Sequence, residues 1–178
     1  MSASPENIIS QTRNWIEQVV VGLNFCPFAA KPFKDEVINY KVIQPANLNL
    51  VLESLILECN RLEDDEVTET SLLILPESFD DFEKYLDLVD LAEQLLIKEG
   101  FEGVYQVASF HPNYLFSGSD EKDPANYTNR SPYPMLHILR EDRLEQAILK
   151  HKNAAAIPDA NIAKANELGL AYFKNLRF

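Results

Sequence analysis

The sequence predicts an α+β protein, an α/β sandwich in which helices pack on a mixed sheet of about four strands. Three observations favour this class: apolar positions at helical spacing, short apolar segments typical of strands, and the alternation of the two along the chain. The predicted order is α-β-α-β-α-β, a long loop, and β-α-α. Since two helices connect successive strands, part of the sheet is expected to be parallel. The result is a two-layer plan related to the ferredoxin-like fold, with extra N- and C-terminal helices.

Each predicted helix combines an apolar stripe with start or stop signals. Ser4, Pro5 and Glu6 are typical of an N-cap, a first helical position and a first turn, and Gly22 is expected to close that helix. Ser78 is expected to cap a later helix. The five predicted helices cover residues 5–21, 48–62, 78–99, 141–150 and about 158–176.

The predicted strands are short and bounded by turn residues. Residues 37–43 alternate between apolar and polar, which is typical of a half-buried strand. Residues 71–75 are continuously apolar and precede a proline, which suits a central strand. The other two predicted strands cover residues 104–108 and 135–139. With 178 residues, a single domain spanning residues 1–178 is expected.

The net charge of −12 is concentrated in one region. Residues 58–102 contain 15 acidic and 3 basic residues, whereas the remainder contains 13 of each sign. This balance argues against nucleic-acid binding, which requires a basic surface. The acidic region is typical of a solvated face, and the alternative is that it binds a basic partner.

Targeting signals are not evident in the sequence. No apolar run reaches the length of a membrane span, and the first ten residues lack the pattern of a signal peptide. Cys26 and Cys59 do not form a disulfide framework. We therefore expect a soluble, cytoplasmic protein without membrane association. The sequence predicts neither a cofactor nor an oligomeric state.

The segment 109–134 is unusually long for a connection between two strands. Loops of this length without periodicity are usually functional or disordered. This segment is rich in aromatic residues, whereas disordered segments are poor in them. The aromatic residues are Phe110, Tyr114, Phe116, Tyr127 and Tyr133. We expect the segment to fold over a site and to expose polar side chains there.

Cys26 is a candidate nucleophile because it lies in an irregular segment beside Pro27. A nucleophilic thiol needs a neighbouring base or cation, and His111 or His137 would supply it. The apolar neighbours of Cys26 favour the alternative, a small buried hydrophobic residue.

The two histidines differ in their expected settings. His111 follows a predicted strand, where a general base, a ligand-orienting donor and a structural contact are all open interpretations. Strand alternation places His137 opposite Leu136 and Ile138, and a hydrogen-bonded, partly buried imidazole is expected. Both histidines and Asp123 could converge on a metal, but nothing in their spacing requires it. No metal site is predicted.

A dense polar group near the end of the long segment is the candidate ligand-binding set. Arg130 offers a planar guanidinium for a carboxylate or phosphate. Its neutral companions could add donors and acceptors for a small anionic molecule. Equally, asparagine and serine side chains stabilise turns by bonding to nearby backbone. The set, completed by the histidine of the following strand, is Asn126, Asn129, Arg130, Ser131 and His137.

Three blocks of the sequence resemble a bacterial family catalogued as the domain of unknown function 1415. They are GLNFCPFA at 22–29, QVASFHPNYLFSG at 106–118 and NYTNRSPYPMLHILRE at 126–141. The similarity extends over nearly the whole chain. It implies a single-domain, soluble bacterial protein, and it assigns no catalytic role to any residue.

The leading hypothesis is an enzyme or binding protein for a small anionic metabolite. Arg130 and the asparagines would position the ligand, His111 would exchange protons, and Cys26 would act in acyl transfer or hydrolysis. This hypothesis predicts that Cys26, His111 and Arg130 approach one pocket. The alternative is a non-catalytic interaction module that uses the acidic region 58–102, and a metal-dependent enzyme is a third hypothesis.

Overall fold

The computed structural model describes residues 3–178. The α-helices are α1 Pro5–Trp15, α2 Ala30–Lys34, α3 Leu48–Asp64, α4 Phe82–Lys98, α5 Glu141–Lys150 and α6 Ile157–Lys174. The strands are β1 Ile38–Val42, β2 Thr70–Ile74, β3 Tyr105–Phe110 and β4 Met135–Arg140. The predicted α+β class is confirmed. Within the described residues, no helix is sufficiently long and apolar to cross a bilayer.

The first predicted helix is present, but its second half is wider than an α-helix. The Ser4 side chain caps α1 by accepting from the backbone N–H of Asn7. A π-helix, Ile16–Val21, continues α1. Gly22 ends it in a right-handed conformation, so a left-handed cap is not the reason for this glycine. A Cβ atom at Gly22 would lie 2.6 Å from the carbonyl oxygen of Gln18, which only glycine avoids.

The strands form one mixed sheet in the order β1-β2-β4-β3. β1 and β2 are parallel neighbours connected by α3, whereas β4 is antiparallel to both β2 and β3. The unit β2-α4-β3 is therefore split by the insertion of β4 between two strands of the same direction. A split βαβ unit is the feature that this sheet shares with the ferredoxin-like plan.

One face of the sheet packs against α3 and α4. The apolar stripes of these helices cover alternate residues of the central strands, as period-2 alternation requires. Leu73 of β2 and Leu136 of β4 are fully buried in this layer. Asp81 caps α4 by accepting from the backbone N–H of Lys84. Ser78, the expected cap, instead donates to the carbonyl oxygen of Ala46.

The other face of the sheet is covered by α1, the π-helix and α6, so the terminal helices add a third layer to the expected plan. Trp15, Val19 and Phe173 pack there against Ile74 and Met135. α6 is broken at Gly169, whose φ of 75° ends regular helical geometry. This layer contains the cavity described below.

The long segment is ordered by its own contacts and by α6. Ser109 and Phe110 belong to β3, so the connection is shorter than predicted. A single 3-10 helix, Pro124–Thr128, interrupts it. Tyr127 stacks on Phe173 of α6 with ring centroids 4.7 Å apart. The segment is thus folded and packs against α6.

Candidate functional site

Asn126 lies at the centre of the long segment and is fully buried. Its Oδ1 accepts from the backbone N–H of Phe116 at 3.0 Å and from the Ser119 hydroxyl at 3.1 Å. Its Nδ2 donates to the carbonyl oxygen of Asp120 at 2.8 Å. These bonds occupy the amide group, so the side chain stabilises the segment itself.

The other polar residues of the predicted ligand set also bond to nearby backbone. The Arg130 guanidinium donates to the carbonyl oxygens of Tyr114 and Glu121, and it lies over the Tyr127 ring. Asn129 Nδ2 donates to the carbonyl oxygen of Ser109. The Ser131 hydroxyl donates to the carbonyl oxygen of Tyr133. These contacts agree with the alternative expectation, in which the polar side chains stabilise turns by bonding to nearby backbone.

His111 is fully buried at the end of β3. Its Nε2 lies 2.8 Å from the carbonyl oxygen of Phe79, and its Nδ1 accepts from the backbone N–H of Asn113 at 3.0 Å. A carbonyl oxygen can only accept, so Nε2 carries the proton. Burial lowers the pKa of His111, and both ring nitrogens are engaged. The imidazole connects the end of β3 to the loop that precedes α4 as a structural contact.

A cavity of about 250 Å³ lies between the sheet, the segment around Cys26 and α5, and Trp15 forms part of its wall. Its walls are largely apolar. They include Trp15 from α1, Phe28 from the connector, Leu72 from β2 and Phe110 from β3. Leu144 and Ala147 of α5 also line it. The polar residues that line the cavity are Glu69, Thr70, His137, Arg140 and Arg143.

His137 projects from β4 into this cavity, and Thr70 of β2 determines its tautomer. The Thr70 hydroxyl lies 2.5 Å from the carbonyl oxygen of Ile138, a contact that requires the hydroxyl proton to lie between the two oxygens. The same hydroxyl lies 2.7 Å from Nε2 of His137. Because its single proton is committed, it accepts from Nε2–H. The lone pair of His137 is therefore on Nδ1.

Nδ1 of His137 makes no hydrogen bond within residues 3–178. Among these residues, the fully enclosed side-chain polar atom without a partner is the Tyr40 hydroxyl, so Nδ1 retains accessible surface in the cavity. Burial lowers the pKa of His137 to about 4. The imidazole is neutral at pH 7 and presents a hydrogen-bond acceptor to a largely apolar space.

Cys26 is partly buried and lines the same cavity. Burial raises the pKa of its thiol, and the backbone N–H groups of Phe28 and Ala29 offset this only in part. The sulfur is therefore protonated at neutral pH and forms a weakly polar wall rather than an activated nucleophile. This environment agrees with the alternative expectation for Cys26, a small buried hydrophobic residue.

The cationic side chains at the cavity have partners already. Arg140 donates to the carbonyl oxygens of Leu62, Asp65 and Thr68. Arg143 contacts the Glu69 carboxylate at 2.9 Å and donates to the carbonyl oxygen of Glu66 at 2.8 Å. Glu69 and Arg143 are about one third exposed, so this pair lies where the cavity meets solvent. Residues 3–178 contain no group of three or more metal-ligating side chains that could hold an ion.

The structure does not bring the predicted trio together. Cys26 and His137 line the large cavity, Arg130 and Ser131 line a smaller cavity of about 110 Å³, and His111 lines neither of them. The prediction that Cys26, His111 and Arg130 approach one pocket is therefore wrong. The physical reason is that the long segment uses its polar groups to satisfy its own backbone.

Three residues of the cavity were not predicted from the sequence: Thr70, and Leu144 and Ala147 of α5. A threonine that begins a strand and an apolar residue on a terminal helix are both common, and neither is a signal of a site. The expected side of His137 is confirmed, since Met135 and Leu139 share its face while Leu136 and Ile138 pack against α3 and α4.

Comparison with known proteins gives a family. Residues 7–175 match a family described as protein of unknown function (DUF1415). The search of curated proteins found no match, and neither did the search of solved structures. Because the matched residues cover nearly the whole chain, this protein belongs to the DUF1415 family.

Proposed function

We propose that this protein binds a small, uncharged and largely apolar molecule in the cavity between the sheet and α5. The observation that carries the proposal is the neutral imidazole of His137, which lines a cavity of about 250 Å³ and whose Nδ1 has no hydrogen-bond partner among residues 3–178. Ligand sites are typically apolar spaces with a few polar groups that set orientation. His137 is such a group.

The size of the cavity limits the ligand to roughly one or two rings. An apolar cavity of about 150 Å³ in another protein stays dry and binds benzene. Burial of roughly 150 to 200 Å² of apolar ligand surface contributes about 4 to 5 kcal/mol before the loss of rigid-body freedom. Affinities in the millimolar range or weaker are therefore expected for simple probes.

The charge distribution favours an uncharged ligand over the anionic one expected from sequence. The guanidinium groups of Arg140 and Arg143 are held by carbonyl oxygens and by Glu69. A buried carboxylate without a free cation is strongly disfavoured. Arg130, the expected anion ligand, is engaged by the long segment.

The function of the acidic region 58–102 as an interaction surface stays a separate prediction. Most of this region lies on α3 and α4, which pack on the sheet face opposite the cavity. Binding of a basic partner there would weaken steeply with salt. Ligand binding in an apolar cavity would change little with salt, which distinguishes the two functions.

Titration of the full chain with toluene and p-cresol tests the proposal. Binding is followed by amide chemical shifts, with calorimetry for affinity. We expect saturable shifts at the cavity residues Leu72, Ala108 and Ala147, and loss of binding in Ala147→Phe, which fills the space. Gln146→Phe adds the same ring at the neighbouring, exposed position and should bind as wild type. If neither probe binds, or if Ala147→Phe binds equally well, the proposal is overturned.

A further inference from the structure

We propose further that the ligand is an uncharged aromatic molecule with one hydrogen-bond donor on its ring, such as a phenol, and that this donor meets Nδ1 of His137. The inference rests on the proposed function and names the chemical class of the ligand. It follows from three features of the cavity: aromatic walls, an imidazole nitrogen without a partner among residues 3–178, and engaged cations.

The aromatic walls favour an aromatic ligand. Trp15 and Phe110 meet edge to face with centroids 5.2 Å apart, and Phe110 lies 6.1 Å from the imidazole of His137. Phe28 lines another part of the cavity. Trp15 and Phe110 pack in one apolar cluster with Leu72 and Ile74 of β2, and Phe28 contacts the ring of His151. A flat ligand can therefore make edge or offset contacts without reorganising the walls.

The tautomer of His137 favours a ligand that carries a hydrogen-bond donor. Nε2–H is directed to Thr70, so the atom that a ligand meets is the lone pair on Nδ1. A hydroxyl or ring N–H satisfies it, whereas a carboxylate or ether oxygen would place a second lone pair against it. A ligand without a donor leaves the acceptor unmatched once water is displaced.

The distribution of charge disfavours an ionised ligand in the cavity. Within residues 3–178, the ionisable residues that line this cavity, besides Cys26 and His137, are Glu69, Arg140 and Arg143. Glu69 and Arg143 pair with each other, and Arg140 is bound by the backbone. A neutral ligand requires none of these contacts to break.

Four probes that all contain a methyl-substituted benzene ring test this inference on the full chain. They are p-cresol, toluene, 4-methylanisole and 4-methylbenzoate. We expect p-cresol to bind roughly tenfold more tightly than 4-methylanisole, which offers only an acceptor. We expect 4-methylbenzoate not to bind. Equal affinities for p-cresol and 4-methylanisole, or tightest binding by 4-methylbenzoate, would overturn the inference.

The variant His137→Phe isolates the hydrogen bond from the rest of the cavity. The ratio of the p-cresol affinity to the toluene affinity should fall roughly tenfold in this variant. An unchanged ratio overturns the inference about the hydrogen-bond donor. The proposed function would still be supported in that case if toluene binds the wild type and Ala147→Phe abolishes this binding. If His137→Phe does not fold, the wild-type comparison of p-cresol with 4-methylanisole decides the question.

Discussion

The Thr70 hydroxyl lies 2.7 Å from Nε2 of His137 and 2.5 Å from the carbonyl oxygen of Ile138. Two neighbouring strands of the sheet therefore determine which nitrogen of one imidazole carries the proton. Because β2 and β4 are antiparallel, with Leu72 directly opposite His137, this contact is a diagonal cross-strand pair. The sheet thus presents a fixed acceptor to the cavity without a charged residue.

Replacing Thr70 with valine should remove the hydrogen bond that fixes the tautomer of His137. Thr70→Val keeps the shape of the side chain but leaves Nε2–H without its acceptor, which costs about 1 to 3 kcal/mol of unfolding free energy. Thr70→Ser retains the hydroxyl and serves as the matched control. Urea denaturation measures both variants. Equal stabilities for the valine and serine variants would contradict the assigned hydrogen bond.

The pH dependence of stability should report the buried histidine. The pKa of His137 is lowered from 6.5 to about 4, so the unfolded chain binds a proton in this range and the folded protein does not. Stability is therefore lost as pH falls from 6.5 to 4, by about 3 kcal/mol for this residue. The pKa of His111 is lowered in the same direction and adds to the loss.

Comparison of wild type with His137→Phe separates the two histidines. Unfolding free energies at pH 7 and pH 4.5 should differ less in the variant, because one of the two proton-linked contributions is removed. The lowered pKa values of Glu58 and Asp65 act mainly below this window, and because both proteins carry these carboxylates, their contribution cancels in the comparison. Identical pH dependence in the two proteins would show that His137 is not buried in its neutral form.

Glu58 should be essential for stability although it lies in the acidic region. Its side chain is 3 % exposed. Its Oε1 accepts from Asn39, Ser71 and Arg61 at 2.6 to 2.8 Å. Burial opposes ionisation, but these contacts outweigh it and the pKa of Glu58 is lowered. Glu58→Ala should destabilise the fold by about 3 kcal/mol, since it leaves several buried donors unmatched.

Glu53→Ala provides the control for Glu58, because Glu53 lies on the exposed side of α3. Its effect should stay within about 0.5 kcal/mol. Thermal or urea unfolding of the two variants gives the comparison. Similar effects for Glu53→Ala and Glu58→Ala would mean that Glu58 is a solvated charge like its neighbours.

Asn126 should hold the long segment together. Asn126→Ala removes the acceptor for Phe116 N–H and the donor for the Asp120 carbonyl oxygen, at a cost of about 2 to 3 kcal/mol. Hydrogen exchange at the amide of Phe116 should accelerate. Asn113→Ala, at an exposed position of the same segment, should leave that exchange rate unchanged. Unaltered exchange in Asn126→Ala would contradict the structural role.

The positions of the main elements could be predicted because their signals are local. The cap at Ser4, the apolar stripe of α3 and the short apolar segment of β2 act within a few residues. The order of the sheet could not be read in this way, since the insertion of β4 between β2 and β3 depends on pairing over long sequence separations. α2 was missed because a five-residue helix that includes Pro32 has little periodicity.

The candidate site was predicted only in part, for a related reason. Cys26 and His137 carry recognisable chemistry, so the sequence indicates them. The wall contributed by α5 results from tertiary packing of a helix with a common amphipathic pattern. The polar residues around Asn126 were ambiguous, because the same side chains suit either a ligand or the backbone of a long turn. Their contacts in the structure are with the backbone.

The nitrogen spectrum of His137, recorded for the free protein and with p-cresol, tests both the tautomer and the proposed ligand contact. Long-range ¹H–¹⁵N correlation at pH 7 distinguishes a protonated ring nitrogen from an unprotonated one. We predict a protonated Nε2 and an unprotonated Nδ1, and a change in the Nδ1 signal that saturates with p-cresol. A protonated Nδ1, or an Nδ1 signal that p-cresol leaves unchanged, would contradict the central claim.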